Sequence, residues 1–225
     1  MSCHYLDRER IRGNGVIKTE NRTAGTFMNV DVSGNIDLYI KQDSSRAVNV
    51  VADENLMQYI VIKTEGDRLV VKPKDGYNLS GSKDIKVYVS SPVFKKLEAS
   101  GACDIIGENR ITSTEMIDID LSGASAVKLE LQAPKVEVEM SGAGTVALKG
   151  ETKEFSVGGS GSTTIKCMEL MAENVDVQIS GAGSAEVFAS VKLDVSVSGA
   201  GHVRYKGNAI LTKSISGAGG VTKVE

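Results

Sequence analysis

Val136-Glu137-Val138-Glu139-Met140-Ser141-Gly142-Ala143-Gly144 is a short alternating run that ends in a turn of small residues. Its apolar members fall at every second position, the period of a strand with one buried face. The turn begins with a serine, and variants of the whole unit recur until the chain stops. The turn serines are Ser33, Ser100, Ser122, Ser141, Ser160, Ser180, Ser198 and Ser216. From Ser100 onward the intervals are 22, 19, 19, 20, 18 and 18 residues.

A repeat near 20 residues marks a solenoid. The columns agree with it. One residue before each serine stand Ala99, Leu121, Met140, Gly159, Ile179, Val197 and Ile215. Three before stand Leu97, Ile119, Val138, Val157, Val177 and Val195, with Lys213 as the exception. Between them lie polar residues such as Asp118, Asp120, Glu137, Glu139, Asp176 and Asp194. A strand this short cannot bury its apolar face alone, so successive coils must stack in parallel and share a core. The expected fold is therefore all-β, a right-handed parallel β-helix, since nearly all parallel crossovers are right-handed. A β-sandwich would use hairpin turns at strand spacing rather than one corner at an even period. At ~4.8 Å per strand, the six intervals from Ser100 to Ser216 span roughly 29 Å. In each corner, glycine supplies positive φ, and alanine at the second position after serine is expected to point into the bend.

The chain divides into residues 1–24, read as a tether with a strand near Val16-Ile17, and a single domain over 25–225. Within it, 25–95 form an elaborated first coil and cap, and 96–225 form regular coils. In the elaborated part, Val61 to Thr64 and Leu69 to Lys72 read as a hairpin. Asp53 to Ile60 reads as a helical turn or two, with Asp53 a candidate cap.

Composition narrows the function. There are 24 glycines and no tryptophan, so small and β-branched residues carry the packing. The net charge is −3, and the linear sequence shows no basic stripe, so a nucleic-acid partner is not expected. No apolar run reaches the ~18 residues of a membrane span. With His4 and His202 as the only histidines, and three cysteines without metal spacing, little is left for a zinc site or a Ser-His relay. Cys103 and Cys167 lie three coils apart, a rise of ~14 Å, and are expected to be free thiols. His202 follows a corner glycine and should be exposed.

The glycine corners lack the helix or lysine of a phosphate loop. Gly158-Gly159-Ser160-Gly161-Ser162-Thr163 lacks the aspartate and the nine-residue period of a calcium repeat. The outward carboxylates Asp118, Asp120, Glu137 and Glu139 are the one candidate cation site, because a hard cation such as Ca²⁺ takes clustered oxygens. The same carboxylates as an acid/base pair would need a cleft, and coils of 18–20 residues leave no room for long loops to build one. No catalytic residue and no cofactor is assigned. Met1-Ser2-Cys3 before a polar run fits a trimmed lipoprotein leader, and equally an ordinary cytosolic start.

Ser33 to Ile36, Ala52 to Leu56, Asp67-Arg68-Leu69 and the closing Ser-Gly-Ala-Gly series together resemble the head GIN domain family. This is a domain of unknown function in Bacteroidetes, named as an autotransporter adhesin. The resemblance runs from about residue 25 to the end. It implies a right-handed β-helix, export, and an N-terminal cysteine as lipid anchor, here Cys3. The reading is a non-enzymatic cell-envelope protein, lipid-anchored at the outer membrane or cell surface, with a glycan or protein ligand. Self-association through the open β-helix edge is a further expectation. The alternatives are a carbohydrate-active β-helix enzyme and a cytosolic scaffold.

Overall fold

The computed structural model describes residues 8–225 as an all-β solenoid of about 7 stacked turns. The period near 20 is the coil. Four long strands, Ala126–Gly142, Thr145–Gly161, Thr164–Gly181 and Ser184–Gly199, each run from one corner to the next. Neighbouring coils pair in parallel, and the repeat columns are the ladder. Val136 is paired with Ile117 on one side and Phe155 on the other, and Ser141 with Ser122 and Ser160. In the regular coils before the last, the inward columns are buried: Val138, Val157 and Val177 are each 0% exposed.

Coil length drifts without disturbing the corners. The strand leading into each corner keeps strict register. The extra or missing residues are absorbed after it, at register shifts between Ala147 and Lys149 and between Cys167 and Met171. Bulges of this kind let a ladder change count locally.

The corners themselves are tighter than alanine allows. The first glycine after each serine has positive φ, +100° at Gly142 and +117° at Gly181. A Cβ on Gly142 would also lie 2.5 Å from the carbonyl oxygen of Gly123 on the adjacent coil. These glycines stack because the next N–H bonds across coils: Ala143 N–H donates to Gly123 O at 2.8 Å, and Ala124 N–H to Gly101 O at 2.7 Å. The expectation that alanine points inward is corrected. Ala124, Ala143, Ala182 and Ala200 are exposed, and the third position after serine, Cys103, Ser125, Gly144 and Thr163, is the buried one. With the peptide of the second residue committed to the axial hydrogen bond, its side chain is left on the outside.

Asn29–Gly34 and Ile36–Gln42 form a coil inside the stack. On one side they pair with Lys96–Gly101 and Asp104–Gly107. On the other they pair with Arg68–Pro73 and Ile85–Ser91. After this coil the chain therefore builds the layer beyond it, then returns to continue the stack in the opposite direction.

Antiparallel strands finish that end. Ala47–Asp53 pairs with Ile85–Ser91, and Ile60–Glu65 makes the expected hairpin with Arg68–Pro73. The 3₁₀ helix Glu54–Tyr59 drops Leu56 and Met57 into the core. The tether reading does not hold from residue 9 onward. Glu9–Arg12 pairs in parallel with Tyr77–Ser80, and Ile17–Arg22 pairs antiparallel with Ala47–Asp53. Backbone pairing to a free strand edge orders these segments, which need no alternating apolar face to do it. Cys3 lies outside the described residues.

Candidate functional site

The strand leading into each corner presents two outward columns. Two residues before the serines, Asp31, Glu98, Asp120 and Glu139 stand on successive coils. Four before them come Asn29, Lys96, Asp118 and Glu137. Carboxylates about 5 Å apart on adjacent strands repel one another. The chain interleaves cations among them. Lys96 Nζ lies 2.9 Å from Asp118 and 2.5 Å from Asp120, and these contacts raise its pKa. Arg68 reaches across from the cap to Glu98 at 3.2 Å and Asp31 at 3.6 Å, and Lys135 pairs with Glu137 at 3.0 Å.

Glu139 is the end of the row. Partial desolvation, then Glu137, Asp120 and Asp118 in turn, raise its pKa above the usual carboxylate value. Its side chain lies over Gly158, where a Cβ would overlap the carboxylate. The row Asp31, Glu98, Asp120 and Glu139 and the corner serines Ser100, Ser122, Ser141 and Ser160 line an open, shallow cleft of about 520 Å³. Of the four sequence-predicted carboxylates, the structure brings Asp118 and Asp120 together on Lys96 and leaves Glu137 with Lys135. Among the described residues, no group of three or more His, Cys, Asp or Glu side chains is arranged to hold a metal ion. The cation that faces Asp118 and Asp120 is the ammonium of Lys96. Asp31, Glu98 and Arg68 were missed as members of this face, although Lys96 and Glu98 were readable at the same offsets from Ser100.

A second groove, of about 610 Å³, lies on the strands after the corners. It is lined by Ile106, Met168 and a mixture of lysines and glutamates, with Lys149 paired to Glu130 at 2.9 Å. Towards the cap, Tyr39 and Tyr88 stack at 4.8 Å between ring centres, with Lys86 over Tyr39.

The remaining reactive groups are structural. Cys103 and Cys167 are free, as expected; both are buried, and burial pushes their thiols up to about 11 and about 12. Thiols raised this far stay protonated at neutral pH. His202 is exposed. Gly159 leaves room inside for the hydroxyl of Thr163, which fills the gap in its column.

Asp53 is fully buried. It makes no side-chain cap to the 3₁₀ helix that follows, contrary to expectation. Its carboxylate accepts instead from Gly15 N–H at 2.6 Å, Ser82 N–H at 2.8 Å and Ser82 Oγ at 2.6 Å. Burial raises its pKa, and these hydrogen bonds outweigh that and hold it below the ordinary value.

A family profile described as "Putative auto-transporter adhesin, head GIN domain" matches residues 26–209. Among solved structures, a "putative adhesin" of Bacteroides fragilis superimposes with a TM-score of 0.90 at 22% identity, over 95% of this chain and 100% of that one. A "putative lipid binding protein" of Parabacteroides distasonis gives 0.74 at 24% identity, and a "putative adhesin" of Parabacteroides merdae gives 0.75 at 24%, each over 96% of this chain and 100% of the other. At these identities the likeness is one of fold. No curated protein matches the chain.

Proposed function

The chain belongs to the head GIN family, and from that premise we propose that it is an exported, non-enzymatic adhesin of the cell envelope, lipid-anchored through Cys3 at the outer membrane or cell surface. The observation that supports a binding role is the row Asp31, Glu98, Asp120 and Glu139 beside the exposed corner serines Ser122, Ser141 and Ser160. It is shallow, polar and repeated at strand spacing. Such a face meets an extended ligand at several equivalent points, so that individually weak hydrogen bonds add. An extended glycan or the surface of another protein fits it. A small substrate needing enclosure does not.

Two arms test the proposal. Expressed from its own gene, the protein should incorporate labelled palmitate, be found in the envelope fraction and lose the label in Cys3→Ala. Recovery in the cytosol without label would sink the envelope reading and favour the scaffold. On a glycan array and a panel of extracellular-matrix proteins, the purified chain should bind. Asp120→Asn combined with Glu139→Gln should lower that binding. Binding unchanged by those substitutions would remove this face from the account.

A further inference from the structure

The two ends of the rod differ in charge. Residues 8–95, which include the cap, hold 14 Lys and Arg against 11 Asp and Glu, whereas residues 96–225 hold 12 against 17. At the cap, part of this basic excess stands on the outermost layer. Glu9–Arg12 lies outside Tyr77–Ser80, and Ile17–Arg22 lies outside Ala47–Asp53. Side chains alternate along the first of these strands. Ile11 packs against the core, and Arg10 and Arg12 are exposed on the opposite face. Arg10 donates to Ser80 Oγ at 3.0 Å, and among the described residues no carboxylate pairs with Arg10 or Arg12. Arg8, beside Asp75, continues the row, and Lys74 stands near it over Tyr77. The linear sequence hid this stripe because Glu9 and Ile11 interrupt it.

The turn between the two strands carries an apolar tip. Val16 is 55% exposed and Ile17 39%. The turn is firmly held: Gly15 N–H bonds to buried Asp53, Asn14 N–H to Asn55 Oδ1 at 2.9 Å, and Asn55 Nδ2 to the carbonyl of Arg12 at 2.8 Å. An ordered loop thus holds bare apolar side chains beside Arg10 and Arg12, which have no carboxylate partner among the described residues. We propose that the capped end docks on an anionic phospholipid surface, with the arginines on the headgroups and Val16 in the interface, so that the rod stands with its open end outward. Cations beside a small apolar tip are the recognition chemistry of a charged bilayer. A nucleic acid or soluble polyanion would use the cations and make nothing of Val16. The inference goes beyond the adhesin reading and does not need a lipid on Cys3. Should Cys3 carry one, seven residues before Arg10, the patch would supply the second signal that a single acyl chain requires for stable attachment.

The unlipidated chain should float with vesicles of phosphatidylcholine plus phosphatidylglycerol, not with phosphatidylcholine alone, and should detach at high salt. Arg10→Gln with Arg12→Gln should weaken this binding about thirtyfold, at roughly fivefold per basic residue near the surface. Val16→Ser should weaken it further. Lys149→Gln, on the stack, should change nothing. All these variants replace exposed side chains and should melt with the wild type. Equal binding to both vesicles, no binding, or a double variant that binds like the wild type would overturn the proposal. So would heparin binding as tight as vesicle binding and insensitive to Val16→Ser, which would mark a polyanion site. Because no lipid is present, failure here leaves the Cys3 assignment standing, and failure of palmitate labelling leaves this patch standing.

Discussion

At the scale of single residues, the corner glycines and Glu139 make opposite demands. Gly142 has positive φ and no space for a methyl group on its neighbour's side, where backbone rather than a movable side chain blocks it. Gly142→Ala is therefore expected to cost on the order of 2–4 kcal/mol, combining backbone strain with displacement of the adjacent coil. Ala143→Gly, one residue on and exposed, should cost well under half of that. Denaturant unfolding of the two variants checks the contrast, and equal losses would refute the stacked corner. Glu139 is the carboxylate that the row disfavours. Its folded pKa lies above its unfolded one, so its penalty is absent below the unfolded value. It develops as pH rises between the two values and is complete above the folded one. Glu139→Gln should accordingly melt at or above the wild-type temperature at pH 7, and the difference should vanish in acid. A fall in melting temperature at pH 7 would show that the row is not repulsive there.

At the scale of elements, the regular coils were legible and the cap was not, for one physical reason. A coil's strand is specified by its own alternation and by a corner that recurs about every 20 residues, so its neighbours are named by the period. The row Asp118, Asp120, Glu137 and Glu139 was readable for the same cause, as was the place of Lys96 in it. The cap rests on contacts without period. Ile17–Arg22 is exposed along most of its length and is ordered by hydrogen bonds to Ala47–Asp53. Asp53 looked like a helix cap because the residues after it do form a helical turn, but its partners lie 38 and 29 residues away. No local pattern announces them. Asp53→Asn keeps the shape and weakens the acceptor, and should cost about 1–3 kcal/mol by leaving buried donors poorly served. Amide exchange should then quicken at residues 13–22 and 80–84 while the coils around Val138 and Val177 keep their protection. The pH dependence has the opposite sign to that of Glu139. Asp53 has a depressed folded pKa, so its contribution is present above the unfolded value near 3.9 and is lost as pH falls through the folded one. Acid should loosen the cap in the wild type, and the acid-induced loss should be shallower in Asp53→Asn.

At the scale of the molecule, the two ends of the stack are finished by different means. The cap end is closed by antiparallel strands and buried aromatics, Phe27 and Phe94 among them. The other end is the pair Ile210–Gly217 and Gly220–Lys223, each bonded to the coil below and, among the described residues, to no further strand. Open parallel edges invite another chain. Here the inward columns change character in the last coil. Val195 pairs with Lys213 and Tyr205 with Lys223, so lysines stand where the core would continue. At the end of the rod their ammonium groups can reach water, and a second molecule placed there would have to bury them. Yet Ile210 is 77% exposed and Ile215 36%, so the apolar contact for such a pairing is already present. The lysines are then what opposes end-to-end self-association, and restoring the column should release it. Lys213→Val is expected to shift the protein toward dimers with rising concentration in sedimentation equilibrium, while Ile210→Asp in the same background should return it to monomers. If Lys213→Val associates no more than the wild type across that range, the charges are incidental. The geometry of the edge strands alone would then have to account for the end of the stack.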